Sequence, residues 1–356
     1  MKIKGKAIIL TNGVYDTKSA KTAHGLVRGS FRFKIVGIID SKFFGKDAGE
    51  LLDGNNRNIP IYKDVLSFLD LKIKVDYCIV GVASAGGILP NEMRSDIILS
   101  LKNGLSIVNG LHSFIQEDKE ISTIANDNGV KIHDIRKPRE RDLLSFWSGK
   151  INNVNCPKVA VMGTDCGLGK RTTAKLIVES LRKNSFKSEM IFTGQTGWMQ
   201  GWKYGFILDS TYNDFVSGEL EKMIYECYKN EIPDFILIEG QASLRNPSGP
   251  CGSEFLVSCD VDAIILQHST KREYFDGWKD VGCKMPSLKS EIRLINMYGK
   301  EVLCITLNTS GMSEKEKKET KIELENELKI PVILPVEEGV DRLIPVLVKL
   351  KKSYDN

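Results

Sequence analysis

Lys158-Val-Ala-Val-Met-Gly163-Thr-Asp165-Cys166-Gly167-Leu168-Gly169-Lys170-Arg171-Thr172-Thr173 is the stretch whose reading decides the fold. The apolar run Val159 to Met162 predicts a buried strand, and three glycines and a lysine come after it. Thr172-Thr-Ala-Lys-Leu-Ile-Val-Glu-Ser-Leu181 then sets Ala174, Ile177, Val178 and Leu181 on one helical face. Strand, glycine-rich loop, lysine and helix make the phosphate cradle of a P-loop. Glycine permits positive φ, so successive N–H groups can converge on one anion. The helix N-terminus adds partial positive charge and Lys170 a full one. The spacing departs from the common G-x-x-x-x-G-K-[ST] form. Gly163 lies six residues before Gly169, and Arg171 stands where a Mg²⁺-binding Ser or Thr would be, with Thr172 and Thr173 one and two places late. The alternative is a glycine-rich strand-to-helix turn that binds nothing.

Outward from this stretch, the chain alternates apolar runs with helical pieces. On the N-terminal side, strands are predicted at Ala7–Leu10, Lys34–Asp40, Pro60–Tyr62, Tyr77–Val82 and Leu105–Val108, with a helix over Asn91–Leu101. Such a βα series gives a mostly parallel, Rossmann-like sheet. Its first turn, Thr11-Asn-Gly-Val-Tyr-Asp16, lacks G-x-G-x-x-G, so a dinucleotide there has little support. Asp40 ends a strand, either as a solvated acid or as a partner for a ribose hydroxyl. Gly81-Val-Ala-Ser-Ala-Gly-Gly87 is either pocket lining or an ordinary loop. Arg139 to Gly149 is charged and then amphipathic, and reads as the crossover into a second domain. The expected division is 1–140 and 141–356.

On the C-terminal side, Glu189–Thr193 is the next strand, closed by Gly194-Gln-Thr-Gly197-Trp-Met-Gln-Gly201. A helix is predicted from Phe215 to Lys229. Phe235-Ile-Leu-Ile-Glu239 is an apolar strand that delivers an acid at its C-terminal end, where a Walker-B-type carboxylate sits in P-loop folds. Asp262–His268, Val302–Asn308 and Pro331–Leu334 complete the sheet, and Ser313-Glu-Lys-Glu316 forms a capping box. The fold class is therefore α/β, a Rossmann-like domain followed by a P-loop NTPase-like domain.

Composition agrees. A chain of 356 residues suggests two domains, and 42% hydrophobic content suffices for packed cores. Net charge is +4 with both signs mixed throughout, so no basic patch argues for nucleic acid. The eight cysteines include no C-x-x-C pair, and most fall in strand-like runs, so buried free thiols are expected. No stretch approaches the ~18–20 apolar residues of a membrane span, and the start is too short for a signal peptide. The expectation is a cytoplasmic homo-oligomer acting on a small molecule, with no membrane or nucleic-acid partner.

The second domain resembles dethiobiotin synthetase in Gly163-Thr-Asp-Cys-Gly-Leu-Gly-Lys170 and Ile238-Glu-Gly240. It departs from that family at Arg171 and at Phe192, where a lysine is expected before the Gln-Thr-Gly turn, and this disfavours carbamate activation. A resemblance covering nearly the whole chain is to the uncharacterised-domain family numbered 1611. It rests on Gly110-Leu-His112, Asp134-Ile-Arg136-Lys-Pro138, Gly163-Thr-Asp with Gly169-Lys-Arg-Thr-Thr173, Gly194-Gln-Thr-Gly197, Asp214-Phe215 and Glu239-Gly-Gln241. That resemblance implies a D-glutamate N-acetyltransferase using acetyl-CoA. ATP with Mg²⁺, in a ligase or kinase of the dethiobiotin synthetase type, is the alternative, and a non-catalytic nucleotide sensor is a third class.

Under that reading Gly163, Thr164, Asp165, Gly167, Gly169, Lys170, Arg171, Thr172 and Thr173 line the cofactor cradle, with Asn308 placed where related P-loop proteins read a base. A turn-forming role is the other reading of Asn308. Glu239 is the candidate general base or metal ligand, against a structural acid bonded to the P-loop. His268, at a strand end in the same sheet, is a base or carbonyl polariser, or a core histidine. Gln195, Gln241, Ser243 and Arg245 follow strands and can meet a substrate's carboxylates, with Arg245 or Arg136 offering the bidentate fork. His112 acts only if the first domain contributes to the site. Trp198 and Trp202 line a lid or simply pack.

Overall fold

The βα alternation builds two wholly parallel sheets in the computed structural model, which describes residues 3–354. The strands, in chain order, are β1 Gly5–Leu10, β2 Phe33–Ile39, β3 Ile61–Tyr62, β4 Tyr77–Val80, β5 Ser106–Asn109 and β6 Ile132–Asp134. They continue with β7 Lys158–Gly163, β8 Ser188–Phe192, β9 Tyr204–Gly205, β10 Phe235–Glu239, β11 Ala263–His268, β12 Glu301–Leu307 and β13 Val332–Ile333. The first six form a sheet of order β3-β2-β1-β4-β5-β6, the arrangement of dinucleotide-binding sheets. The other seven run β13-β12-β11-β7-β10-β8-β9. The central strands are mostly apolar along their whole length, as in Phe235-Ile-Leu-Ile238 and Ala263-Ile-Ile-Leu266, because helices cover both faces of a parallel sheet.

The chain divides into two compact units. One comprises the chain up to Pro138 together with Gln195–Trp202; the other comprises Arg139–Gly194 and the chain from Lys203 onward. The excursion was not anticipated. Residues read as the turn closing β8 form a short helix, Gln195–Gln200, that packs in the first unit. Gln200 Nε2 donates to Gly25 O at 2.8 Å and Gly29 O at 3.2 Å, and Phe31 N donates to Gln200 O at 2.7 Å. Arg32 Nε donates to Trp198 O at 2.8 Å while its guanidinium lies 4.1 Å above the indole. Trp202, 5% exposed, meets Phe31 edge to face. Both tryptophans are therefore packing residues, and the lid reading is dropped.

The segment from Arg139 to Asn153 belongs to the second unit because two buried acids hold it. Glu219 accepts from Arg139 Nη2 and, at 2.9 Å, from Ser145 N. Glu221 accepts from Ser148 N, Ser148 Oγ and Ile151 N. Both acids lie on the helix Asn213–Glu231, and Gly218, just before them, leaves the strap room to pass. A Cβ there would fall 1.9 Å from Ser145 O. Six cysteines are buried and Cys166 and Cys283 half-buried, all eight as free thiols; burial pushes the Cys78 thiol up to about 12. Among the described residues no helix is long and apolar enough to cross a membrane.

Candidate functional site

The second sheet aims its chemistry through register. β7 is central, with Val161 opposite Glu239 of β10 on one side and Gly163 opposite Gln267 of β11 on the other. The loop leaving β7 thus emerges between the ends of the strands that carry Glu239 and His268. Gly167 (φ +64°) and Gly169 (φ +106°) take left-handed backbone, which turns the loop into the N-terminus of the helix Lys170–Lys183. Lys170 is buried and lies back along the loop, its Nζ donating to Asp165 O at 2.7 Å and Ala242 O at 2.9 Å. Burial pulls this ammonium below the usual lysine range, against the raising influence of the Cys166, Asp165, Cys251 and Glu239 side chains. Gly163 packs closely under it, and a Cβ there would stand 3.0 Å from Lys170 Cδ and 3.2 Å from Lys170 Nζ. Ala242, a non-glycine residue at φ +33°, presents its carbonyl to Lys170 from a strained backbone. Left-handed glycines, a helix N-terminus and a buried lysine fit a phosphate-bearing ligand.

Glu239 is 5% exposed at the end of β10. Its Oε2 accepts from Thr193 N at 3.0 Å, and Gln241 Nε2 donates to Thr193 Oγ1, also at 3.0 Å. Burial pushes the Glu239 carboxyl above its usual range, opposed by Arg171, the Thr193 N–H, Lys170 and the Gly194 N–H. A carboxylate whose pKa is raised in this way holds a proton more readily than an exposed one. His268, 8% exposed, shares a hydrogen bond of 2.9 Å between Nδ1 and Thr164 Oγ1. Desolvation lowers its pKa to about 4, so the imidazole is neutral at pH 7. Ser243, 1% exposed, lies immediately after the strained Ala242, and its hydroxyl has no hydrogen-bond partner among the described residues.

Several residues read from the sequence as ligand contacts also hold the loop's shape. Asp165 accepts at Oδ1 from Asn246 Nδ2 (2.9 Å) and at Oδ2 from Arg272 Nη1 and Asp276 N (both 2.8 Å). Its carboxylate joins three loops and is fully buried. Thr173 Oγ1 donates to Gln267 Oε1 at 2.6 Å, which ties the start of the helix to β11. Asn308 donates to Leu168 O at 3.0 Å, so it braces the glycine loop; the turn-former reading is closer than base recognition. Arg245 donates from Nε to Glu291 and from Nη1 to Ser290 Oγ, each at 2.7 Å, so its guanidinium is paired within the protein. Sequence reasoning missed Thr193, Asn246, Gln267 and Arg272. Only Gln267 carried a signal, as a polar residue one place before the end of an apolar strand.

The first unit shows two further features. Asp40 is fully buried, contrary to the solvated acid expected. Its Oδ2 accepts from Thr11 Oγ1 (2.8 Å), Gly13 N (3.0 Å) and Tyr15 N (3.1 Å). The turn that grips a pyrophosphate in dinucleotide-binding sheets is here occupied by the chain's own carboxylate. Beyond β5 and β6, Arg136 bonds His112 Nε2 through Nη1 and Gln195 Oε1 through Nη2 at 2.8 Å. Gln195 therefore sits with His112 and Arg136 in the first unit, and Gln241 with Glu239 and Thr193 in the second.

A parallel sheet whose central strand feeds a glycine loop, a buried lysine and a helix defines a P-loop protein, here joined to a Rossmann-like unit. The chain belongs to the DUF1611 family. Residues 145–344 match its P-loop domain and residues 41–138 its Rossmann-like domain, each described as a domain of unknown function. The resemblance read from the sequence is borne out. A D-glutamate N-acetyltransferase of Tritonibacter scottomollicae is 30% identical over 277 residues, spanning 76% of this chain and 80% of its own. A D-glutamate N-acetyltransferase of a Pseudoalteromonas species is 26% identical over 273 residues, spanning 75% and 79%. The crystal structure of a DUF1611 family protein from Anabaena variabilis, 27% identical, superposes with a TM-score of 0.87 over 97% of this chain and all of the other.

Proposed function

We propose that this protein is an N-acetyltransferase that moves an acetyl group from acetyl-CoA to the amine of an acidic amino acid such as D-glutamate. One observation carries the chemistry. Glu239 is a buried carboxylate, raised in pKa, on the strand beside the phosphate loop. The relatives' names supply the group transferred and the acceptor class; acetyl-CoA as donor is the reading proposed here from the phosphate loop.

Acetyl-CoA supplies an activated thioester and several phosphate charges. Gly167, Gly169, Lys170 and the start of the helix Lys170–Lys183 hold a phosphate, because an N–H nest recognises an oxyanion whatever its parent molecule. Arg171 adds a cation where a Mg²⁺-coordinating hydroxyl is usual, which suits a ligand with more phosphate charge and less metal. Glu239 takes the proton that the acceptor's ammonium must lose before its nitrogen can form the new bond to the acetyl carbon. As the carbon–sulfur bond breaks, the departing sulfur takes up a proton. Neutral His268 is suited to polarising a carbonyl and not to carrying positive charge.

Arg171, in the place where the Mg²⁺-binding hydroxyl is usual, favours this order over the ATP/Mg²⁺ reading. Calorimetry with acetyl-CoA, CoA and ATP, each with and without Mg²⁺, is the test. Acetyl-CoA and CoA should bind without metal, and Lys170→Ala should weaken that binding by about 1.5–3 kcal/mol, the scale of a hydrogen bond to a charged group. Tight Mg²⁺-dependent ATP binding with no CoA binding would reverse the order.

A further inference from the structure

We propose that Gln241 Oε1, beside Glu239, binds the ammonium of the acceptor and fixes which of its N–H bonds survives the transfer. The proposal rests on the reading of the protein as an acyltransferase in which Glu239 takes up the first proton. The direction of the amide follows from one hydroxyl proton. Thr193 Oγ1 donates to Glu239 O at 2.7 Å, and a hydroxyl has a single proton to give. Toward Gln241 it can therefore only accept, which it does from Nε2 at 3.0 Å. The amide is thereby held with its nitrogen on Thr193. Its carbonyl oxygen, on a half-buried side chain, meets no donor among the described residues.

The same threonine aligns the acid, its backbone N–H donating to Glu239 Oε2 at 3.0 Å. Gly194 lies against both side chains, and a Cβ there would stand 3.0 Å from Gln241 Nε2 and 3.7 Å from Glu239 Oε1. All of these residues follow or end β8 and β10, neighbours in the sheet of the second unit, at the carboxyl ends where open sheets bind ligands. A carboxylate and an amide carbonyl side by side suit a cation that carries several N–H groups. They disfavour a second carboxylate or a phosphate, which would set oxygen against oxygen. A primary ammonium has three N–H bonds. One proton passes to Glu239, which frees the lone pair that forms the bond to the acetyl carbon. Another goes to the departing sulfur as the carbon–sulfur bond breaks, and the third hydrogen stays in the amide product. Gln241 holds that third hydrogen throughout, since a neutral carbonyl binds an N–H without taking its proton, so the lone pair appears in a fixed direction.

The test uses the full chain and calorimetry with two probes, D-glutamate and glutarate, the same dicarboxylate without the amine. The unaltered protein should bind D-glutamate more tightly than glutarate. Gln241→Met keeps the length of the side chain and removes its carbonyl. It should weaken D-glutamate binding by about 10-fold or more, the loss expected for a hydrogen bond to a charged group, and leave glutarate and acetyl-CoA binding as they were. Thr193 provides a second route if Gln241→Met misfolds. Thr193→Val removes the hydroxyl that orients the amide and should lose the preference for D-glutamate, whereas Thr193→Ser, which keeps the hydroxyl, should retain it. No preference for D-glutamate in the unaltered protein, an unchanged preference in folded Gln241→Met, an equal loss for both probes, or a loss of acetyl-CoA binding would overturn the ammonium site. A preference that depends on Gln241 in a protein that transfers no acetyl group would sustain the site and sink the acyltransferase reading. Transfer by Gln241→Met with an unaltered KM for D-glutamate would do the reverse.

Discussion

Asp165→Asn separates a structural acid from a ligand-binding one. Three donors converge on the buried carboxylate: Asn246 Nδ2 on one oxygen, and Arg272 Nη1 with Asp276 N on the other. An asparagine has the same shape but one oxygen and one NH₂ group. Whichever way it is turned, a donor faces a donor, and the Arg272 charge loses its counter-ion. Breaking a buried pair of this kind costs about 3–5 kcal/mol. At roughly 2–4 °C per kcal/mol for a unit of this size, the melting temperature of the ligand-free protein should drop by around 10 °C. Circular dichroism melts of the two proteins, followed by acetyl-CoA titration at a temperature where both are folded, make the assay. A variant that melts with the parent but has lost donor binding would refute the reasoning and return Asp165 to the ligand.

Three other outcomes are expected. His268 is held neutral with a pKa of about 4 against 6.5 for the free side chain, so the unfolded chain takes up its proton first as the pH falls. Stability should therefore decline between about pH 6.5 and 4, by on the order of 3 kcal/mol, and His268→Gln should flatten that slope in denaturant titrations; an unchanged slope would place the histidine in water. Gly218→Ala drives a methyl into Ser145 O, so it should destabilise the second unit by about 1–3 kcal/mol and speed proteolysis of the 139–153 strap, whereas a melt equal to the parent's would mean that the strap moves aside freely. Glu239→Gln should keep acetyl-CoA binding, lower turnover about 10²–10⁴-fold and abolish the fall in activity as pH drops through the raised carboxyl; near-normal turnover would move the proton to His268 or water.

Much of the architecture was legible because it is local. The apolar runs of β7, β10 and β11 and the glycines before Lys170 announce themselves within a few residues. The excursion of Gln195–Trp202 was not, since its anchors, Gly25 O, Gly29 O and Arg32, lie more than 150 residues away in the chain. Acids at strand and loop ends were legible as positions but not as roles. Asp40, Asp165 and Glu239 read alike, yet the first two are saturated by donors of the fold. Arg245 reads in the sequence as a fork for a substrate's carboxylate, and only geometry shows that it answers Glu291 of the protein itself.

Turnover itself decides the matter most directly. The purified full chain, incubated with acetyl-CoA and D-glutamate and followed by mass spectrometry and thiol release, should form N-acetyl-D-glutamate and free CoA in equal amounts, with no requirement for ATP or Mg²⁺. Absence of both products, alongside ATP hydrolysis stimulated by Mg²⁺ and lost in Lys170→Ala, would contradict the acyltransferase reading.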